Sequence, residues 1–183
     1  MHIGLIGGIG PAATEYYYRG LIARHTRSGT ALDLTIAHAD VRELKFEGSF
    51  DAAISLCEGA FGLLEDDTQN HLVLESLRRA LRPGGRLALN ALNRAHLQSR
   101  MDEFPGFDAG TGYTVHAESM TLESGIVLTV RYRDRSFFPD EIRDEVESAG
   151  FEVTAVYGCA PGDFGRHPAD AVLPELLVLG RAR

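Results

Sequence analysis

Glycines cluster directly after a short apolar run at the start of the chain. Residues 2–6 read HIGLI, Gly8 and Gly10 follow, and Pro11 begins a helix-like stretch. The segment from Gly8 to Ala13 approximates the pattern G-x-G-x-x-A. Glycine lets the backbone approach a ligand closely, and free N–H groups at a helix N-terminus bind anions. The spacing therefore predicts a ligand-binding loop, although tight strand-to-helix turns also use glycine for packing alone.

Two aspartates follow the glycine cluster at a distance that suits nucleoside binding. An acid about twenty residues beyond such a loop binds ribose hydroxyls in dinucleotide-binding folds. Asp33 has this spacing but begins the second predicted strand, at the wrong end of the sheet. Asp40 ends that strand and is the better candidate, with a helix cap or turn residue as the alternative interpretation.

The two cysteines, Cys57 and Cys159, lie about a hundred residues apart. Two cysteines are too few for a disulfide framework, and the spacing typical of zinc sites is absent from the sequence. The pattern therefore predicts no metal site.

The composition limits the partners that the chain can have. Its 183 residues suit one α/β domain, and 18 basic against 26 acidic side chains give a net charge of −8. Nucleic acid and anionic lipid both require a basic surface, so we expect neither as a partner. The sequence contains no basic leader and no long apolar stretch, which favours a cytoplasmic location.

Short apolar segments alternate with longer amphipathic ones through the first half of the chain. Such alternation predicts a doubly wound, mostly parallel sheet with helices on both faces. The predicted strand order is 2-1-3-4, with the closing strands beyond the fourth. Predicted strands cover residues 2–6, 31–40, 51–56 and 86–90, and predicted helices cover 11–25 and about 67–81.

The last third of the chain has a different pattern. Residues at about 111–134 alternate on both sides of the letters LESG, which predicts an inserted antiparallel hairpin. Pro139 near the start and Gly150 at the end predict a helix between them. Closing antiparallel strands are predicted at 151–158 and 175–183, and a polar loop at 158–170.

The opening of the chain resembles one known family. The letters IGLIGGIGPAATEYYYRGLI, followed by LDLTIAHAD, are similar to the start of aspartate/glutamate racemases. That family works by two cysteines on opposite faces of the α-carbon, in C-N-T and G-C-T-type motifs. Cys57 lies in LCEG and Cys159 in GCAPG, so neither motif occurs here. The resemblance covers about residues 1–40 and brings no catalytic residue with it.

The rest of the chain resembles a second family, the class I methyltransferases that use S-adenosylmethionine (SAM). The letters DVRELKFEGSFDAAISLCEGAFGLL, LRRALRPGGRLALNALN, RSFFPDEIRDEVESAGFEVTAVYG and LLVLGRAR carry this resemblance. It implies a three-layer Rossmann-like or flavodoxin-like α/β sandwich with SAM as cofactor. In that family an acid precedes the glycine loop, whereas no acid directly precedes Gly7 here. A racemase-like segment 1–40 joined to a methyltransferase-like body 41–183, by natural fusion or as an engineered chimera, would produce this pattern.

The second resemblance implies a SAM site in the loops that follow the first three strands. Phe61 would pack on the ligand, with plain core packing as its alternative. The implied cofactor-binding residues are Gly8, Gly10, Asp40, Cys57, Glu58, Gly59 and Phe61.

The same resemblance implies where a small-molecule acceptor would bind. Asn90 and Asn93 come after the letters RLAL of the fourth strand, where an acceptor would enter, although Asn90 would equally cap a strand end. Tyr113, His116 and Tyr132 lie in the inserted hairpin, which often covers the acceptor in this family. Each is a candidate base or positioning group, and a solvated strand residue is the alternative for His116.

Three functions therefore remain open at the level of sequence. The favoured one is a SAM-dependent methyltransferase that acts on a small molecule. The others are a folded chimera without catalytic activity and an amino-acid racemase.

Overall fold

The computed structural model describes residues 2–6, 11–37, 40–56, 61–63, 66–121 and 124–183. The strands in these ranges are β1 (His2–Ile6), β2 (Asp33–Ala37), β3 (Phe50–Ser55), β4 (Leu81–Asn93), β5 (Tyr113–Thr121), β6 (Val127–Phe137), β7 (Phe151–Ala160), β8 (Asp163–His167) and β9 (Glu175–Ala182). The α-helices are α1 (Pro11–Ser28), α2 (Asp67–Ala80), α3 (Arg94–Ser99) and α4 (Pro139–Ser148). Short 3₁₀ turns cover Val41–Glu43 and Met101–Glu103.

The strands form one mixed sheet in the order β2-β1-β3-β4-β9-β7-β8. β2, β1, β3 and β4 are mutually parallel, whereas β9 is antiparallel to both β4 and β7. The hairpin of β5 and β6 joins the sheet through β6, which pairs with the last two residues of β4. The predicted strand order, the predicted hairpin and the antiparallel closing strands are confirmed, and with them the doubly wound α/β class.

Helices α2 and α4 build the main core against one face of the sheet. α2 begins after Asp66, whose carboxylate accepts a hydrogen bond from the Gln69 N–H at 2.8 Å. In α4, Pro139 lies in the first turn and Glu141 accepts from the Phe138 N–H at 2.9 Å. The side chains that these helices and the sheet bury most completely include Leu74, Leu77, Leu89, Ile142, Val146, Phe151, Leu176 and Val178.

The opposite face of the sheet is covered less completely. The apolar spacing of α1 predicts that Tyr17, Leu21 and Ile22 face the sheet, but Ile22 is 39% exposed. A cavity of about 570 Å³ is lined by α1 together with Ile54 and Leu56. A second cavity of about 420 Å³ lies on the sheet beyond it, against residues that include Ile54, Ala88 and Leu179.

Three elements differ from the sequence prediction. β8 lies inside the segment predicted as a polar loop, because Gly162, at φ +81°, allows the chain to turn back so that Asp163 pairs with Ala160. α3 was not predicted, since six residues carry too little periodicity. β4 begins at Leu81, before the glycines that were expected to precede it.

The packing predicts a contrast between two leucines of α2. Leu74 is fully buried and Leu72 is 38% exposed. We expect Leu74→Ala to lower the free energy of unfolding by about 3 kcal/mol, because it leaves a cavity in the core. Leu72→Ala, the matched control, should lower it by less than about 1 kcal/mol. Urea unfolding followed by circular dichroism measures both, and equal losses would contradict this description of the core.

Candidate functional site

The parallel strands β1, β2 and β3 end level with one another at a single edge of the sheet, and β4 continues beyond it to Asn93. In β1, Ile6 pairs with both Ala37 of β2 and Ser55 of β3. Ser55 in turn pairs with Leu89 of β4. Strand order reverses between β1 and β3, because the chain passes to β2 on one side and to β3 on the other. Such a reversal point opens a crevice at the carboxyl ends of the strands, where α/β proteins bind ligands.

Several predicted cofactor-binding residues follow this row of strand ends. Gly8, Gly10, Cys57, Glu58 and Gly59 lie outside the described residues. The strands that precede them, however, end at the edge just defined. Their predicted roles therefore remain predictions.

Asp40 follows β2 and caps the 3₁₀ turn that begins at Val41. Its carboxylate accepts from the Arg42 N–H at 3.0 Å and from Arg42 Nε at 2.8 Å. These hydrogen bonds from Arg42 lower the pKa of Asp40, so the carboxylate is charged at neutral pH. Arg42 also donates to Gln69 Oε1 at 2.6 Å, which ties this turn to α2. Asp40 is thus an exposed, ionised cap, the alternative considered for it from sequence.

Phe61 lies in the core rather than on an open surface. Its side chain is 2% exposed and stacks on Phe137 at a ring-centroid distance of 5.2 Å. The core interpretation of Phe61 matches this packing, and the stack joins the segment after β3 to the end of β6.

Two asparagines near the end of β4 support the polypeptide that enters β9. Asn90 is 1% exposed and donates to Glu175 Oε2 at 2.7 Å. Asn93 donates to the carbonyl oxygens of Asp170 and Leu173 at 2.6 and 2.8 Å. Asn93 also accepts from an N–H of α3, as an N-cap residue. Through these contacts, both amides hold in place the segment 170–175 that leads into β9.

Glu175 is a buried carboxyl group that sequence reasoning did not single out. It is 6% exposed, and Cys159 Sγ lies 3.8 Å from the same oxygen that Asn90 contacts. Burial raises the pKa of Glu175, and the hydrogen bonds from Asn90 and Cys159 offset only part of this effect. No sequence signal marks Glu175, because it is the first residue of an ordinary apolar strand.

The base of the hairpin is fixed to the segment that follows β3. The Arg135 N–H donates to the Gly62 carbonyl at 2.7 Å. The Tyr113 hydroxyl donates to Asp67 Oδ1 at 2.8 Å, and Arg135 Nε donates to the same oxygen at 3.1 Å. The hairpin therefore begins beside the edge formed by β1, β3 and β4.

Tyr113 is a hydrogen-bond donor at neutral pH. Burial, with help from the hydrogen bond to Asp67, raises the pKa of Tyr113 to about 12. A phenol with this pKa stays protonated, so Tyr113 suits positioning better than proton abstraction.

His116 and Tyr132 lie together on the face of the hairpin opposite to Tyr113. They are cross-strand partners, and their rings stack with centroids 4.7 Å apart. His116 Nε2 lies 2.8 Å from Asp134 Oδ2. Tyr113 is three residues from His116 in the same strand, so it occupies the opposite face. The structure thus unites two of the three predicted catalytic residues and separates the third.

Asp134 is the partner that sequence reasoning missed. It is 8% exposed, and burial raises the pKa of its carboxyl group while His116 opposes that shift. The buried Oδ1 atom has no hydrogen-bond partner within the part of the chain that the structure describes. The signal that could have found it is the hairpin register, which places Asp134 diagonally across from His116.

The described ranges hold neither a helix that could span a membrane nor a cluster of metal-binding side chains. None of the helices there is long and apolar enough to cross a membrane. Among the same residues, no group of three His, Cys, Asp or Glu side chains is placed to hold a metal ion.

The fold is that of SAM-dependent methyltransferases. The CcbJ methyltransferase from Streptomyces caelestis matches 99% of this chain and 83% of its own, with a TM-score of 0.64 at 16% identity. A SAM-dependent methyltransferase from Methanosarcina mazei matches 99% of this chain and 92% of its own, with a TM-score of 0.61 at 14% identity. These matches extend through the part of the chain that resembles racemases, and no support for a separate racemase-like segment comes from them.

A curated relative matches at the level of sequence. The cypemycin N-terminal methyltransferase of a Streptomyces species is 26% identical over 162 residues, which cover 80% of this chain. The match spans 64% of the length of that relative. No model of a protein family matches the chain.

The buried carboxyl group of Glu175 predicts that the free energy of unfolding depends on pH. Since the pKa of Glu175 is higher in the folded than in the unfolded protein, the folded state retains a proton that the unfolded state has lost. The contribution of Glu175 to folding stability therefore falls as pH rises from about 4.5 through the folded pKa. Glu175→Gln removes this effect, so the variant should gain stability relative to the wild type over that pH window.

Urea unfolding at a series of pH values measures this difference. Glu152→Gln is the matched control, because Glu152 is exposed and lies on the neighbouring strand β7. A difference between Glu175→Gln and wild type that does not change with pH would contradict the burial effect.

Proposed function

We propose that the chain is a SAM-dependent methyltransferase that methylates a small organic acceptor at the carboxyl edge of β1 and β3. The observation that carries this proposal is the level row of Ile6, Ala37, Ser55 and Leu89. In the sequence, the glycine-rich segment and the segments after β2 and β3 follow directly on these strand ends, at the reversal of strand order. The fold of the methyltransferases and the relative at 26% identity support the same activity.

Among the residues proposed for this site, Asp40 suits the ribose part of a nucleoside cofactor. An exposed, ionised carboxylate follows β2 at Asp40, and ribose hydroxyls are donors that such a group accepts. SAM, when bound, would supply a methyl group on a sulfonium: the acceptor atom would bond to the methyl carbon as the carbon–sulfur bond breaks, and S-adenosylhomocysteine would leave. The residues proposed to hold SAM are Gly8, Gly10, Asp40, Cys57, Glu58 and Gly59.

The protein itself contributes by positioning the acceptor and by excluding water from the site. Displacement at a methyl carbon requires the acceptor atom in line with the bond that breaks, and effective molarity then supplies about 7–11 kcal/mol at best. The hairpin base, fixed through Asp67 and Gly62, supplies a wall beside the edge. Asn90 and Asn93 support the opposite wall through their contacts with the segment that enters β9.

His116 is the proposed proton acceptor for an amine or hydroxyl group. Nε2 is held by Asp134, and Nδ1 has no partner within the described ranges. The stacked ring of Tyr132 fixes the plane of the imidazole. Asp134 is then a positioning residue, because its contact with Nε2 orients the ring.

The racemase alternative gains no specific support. A racemase requires two cysteines that reach the same substrate carbon, and Cys159 is fully buried beside Glu175. A folded chimera without activity makes a different prediction from the methyltransferase proposal, because it would bind no nucleoside.

Calorimetry with S-adenosylhomocysteine tests the proposed cofactor edge. We expect Asp40→Asn to weaken binding by about tenfold, because a neutral amide accepts hydroxyl hydrogen bonds less strongly than a carboxylate. Asp33→Asn is the control, since Asp33 lies at the other end of the same strand β2. The proposal fails if the wild type shows no binding heat at millimolar ligand, or if both variants weaken binding equally.

Methyl transfer from tritiated SAM to a panel of amines and phenols tests His116. His116→Gln should lower kcat by about 10²-fold, because general-base catalysis contributes at least that much. Affinity for S-adenosylhomocysteine should not change. His167→Gln is the control, because His167 forms a similar pair with Asp163 on β8. If the two variants have the same activity, His116 is not the base.

A further inference from the structure

One face of the hairpin carries a row of arginines. Residues two apart in a strand share a face, and in the hairpin Tyr113 pairs with Arg135, Val115 with Arg133 and Ala117 with Arg131. We call this surface the arginine face; it consists of Tyr113, Val115, Ala117, Arg131, Arg133 and Arg135.

The arginine face is unusual for this chain. The protein has a net charge of −8, yet three cations occupy alternate positions of β6 and their cross-strand partners carry no carboxylate. Arg131 and Arg133 are exposed, and neither forms an ion pair with any residue that the structure describes. Like charges about 7 Å apart repel, so an anion bound between them would be stabilised from both sides.

Aromatic rings hold the inner part of the arginine face in place. The Arg133 guanidinium lies over the Tyr113 ring, 4.6 Å from its centroid. Arg135 lies over the same ring at 5.4 Å and is fixed by Asp67 at 3.1 Å. A guanidinium stacked on a ring keeps its edge N–H groups for an anion, and its planar fork matches carboxylate and phosphate.

The arginine face begins at the candidate site. Phe137, the next residue of β6 on the same face, stacks on Phe61, which follows β3. Arg135 also donates to Gly62 through its backbone. The face therefore runs outward from the edge where methyl transfer is proposed. Val115, 59% exposed and paired with Arg133, adds an apolar surface among the arginines.

We infer that the arginine face binds the anionic group, a carboxylate or a phosphate, of a methyl acceptor that also has an apolar part. This inference rests on the proposed function, because it names the class of acceptor for that site. It commits the face to a small anionic ligand.

Nuclear magnetic resonance titration tests this inference without cofactor chemistry. The probes are 3-phenylpropionate and phenyl phosphate, with the neutral 3-phenylpropanamide as the uncharged counterpart, and the arginine Nε–Hε signals report binding. We expect both anions to bind and the amide not to bind; the tighter anion identifies the group preferred. The double variant R131Q/R133Q should weaken anion binding by about tenfold.

The matched control is R166Q/R183Q, which removes the same charge from two exposed arginines outside the hairpin. This control should stay within about twofold of the wild type. Salt gives a second measurement that needs no variant, because screening at about 1 M should weaken binding of the anions in the wild type.

Several outcomes would overturn the inference. In the titration, these are equal binding of the amide and the anions, or no binding of any probe. With the variants and with salt, they are an equal loss of anion affinity in both double variants, or anion binding that does not depend on salt. Self-association of the wild type that R131Q/R133Q abolishes would also overturn it, because the face would then bind a second copy. Failure of the proposed function is distinguished by calorimetry with S-adenosylhomocysteine, which does not involve the arginine face.

Discussion

The parallel hydrogen-bond register of β2, β1, β3 and β4 is the constraint on which the site depends. Because Ile6 pairs with both Ala37 and Ser55, the three strands end at one level, and Leu89 lies in the same row. A shift of one residue in any of these pairings would turn alternate side chains to the wrong face of the sheet. The register is specified by burial, since α2 and α4 cover the face that carries Leu89 and Val178. Packing far from the edge therefore determines which segments meet at it.

The hairpin adds a second wall to this edge, and its two faces have different chemistry. One face holds the His116–Asp134 pair with the stacked Tyr132 ring. The other face holds the arginines on Tyr113, fixed to α2 through Asp67. Alternation along a strand produces this division, because neighbouring residues point to opposite sides. An acceptor held on the arginine face lies on the side of the hairpin away from His116, so its reacting atom would reach the imidazole only around the edge of β5.

Much of the fold follows from local sequence patterns, whereas the site follows from them less well. Strand order and the hairpin were predictable, because apolar segments and turn residues are local signals. β8 was not, since its pairing depends on the turn at Gly162. Asp134 was missed for a similar reason: its contact with His116 spans the hairpin and requires the register. The burial of Asn90 with Glu175 joins residues 85 apart in sequence, and no local pattern encodes such a contact.

A crystal structure of the protein with S-adenosylhomocysteine tests the central claim most directly. The account predicts electron density for the nucleoside at the carboxyl edge, over Gly8 and Gly10, with the ribose near Asp40. Density at the amino edge of the parallel strands, or in the cavity of about 420 Å³ that Leu179 helps to line, would contradict the assignment of the site. Absence of the ligand from crystals grown at saturating concentration would contradict the proposed activity.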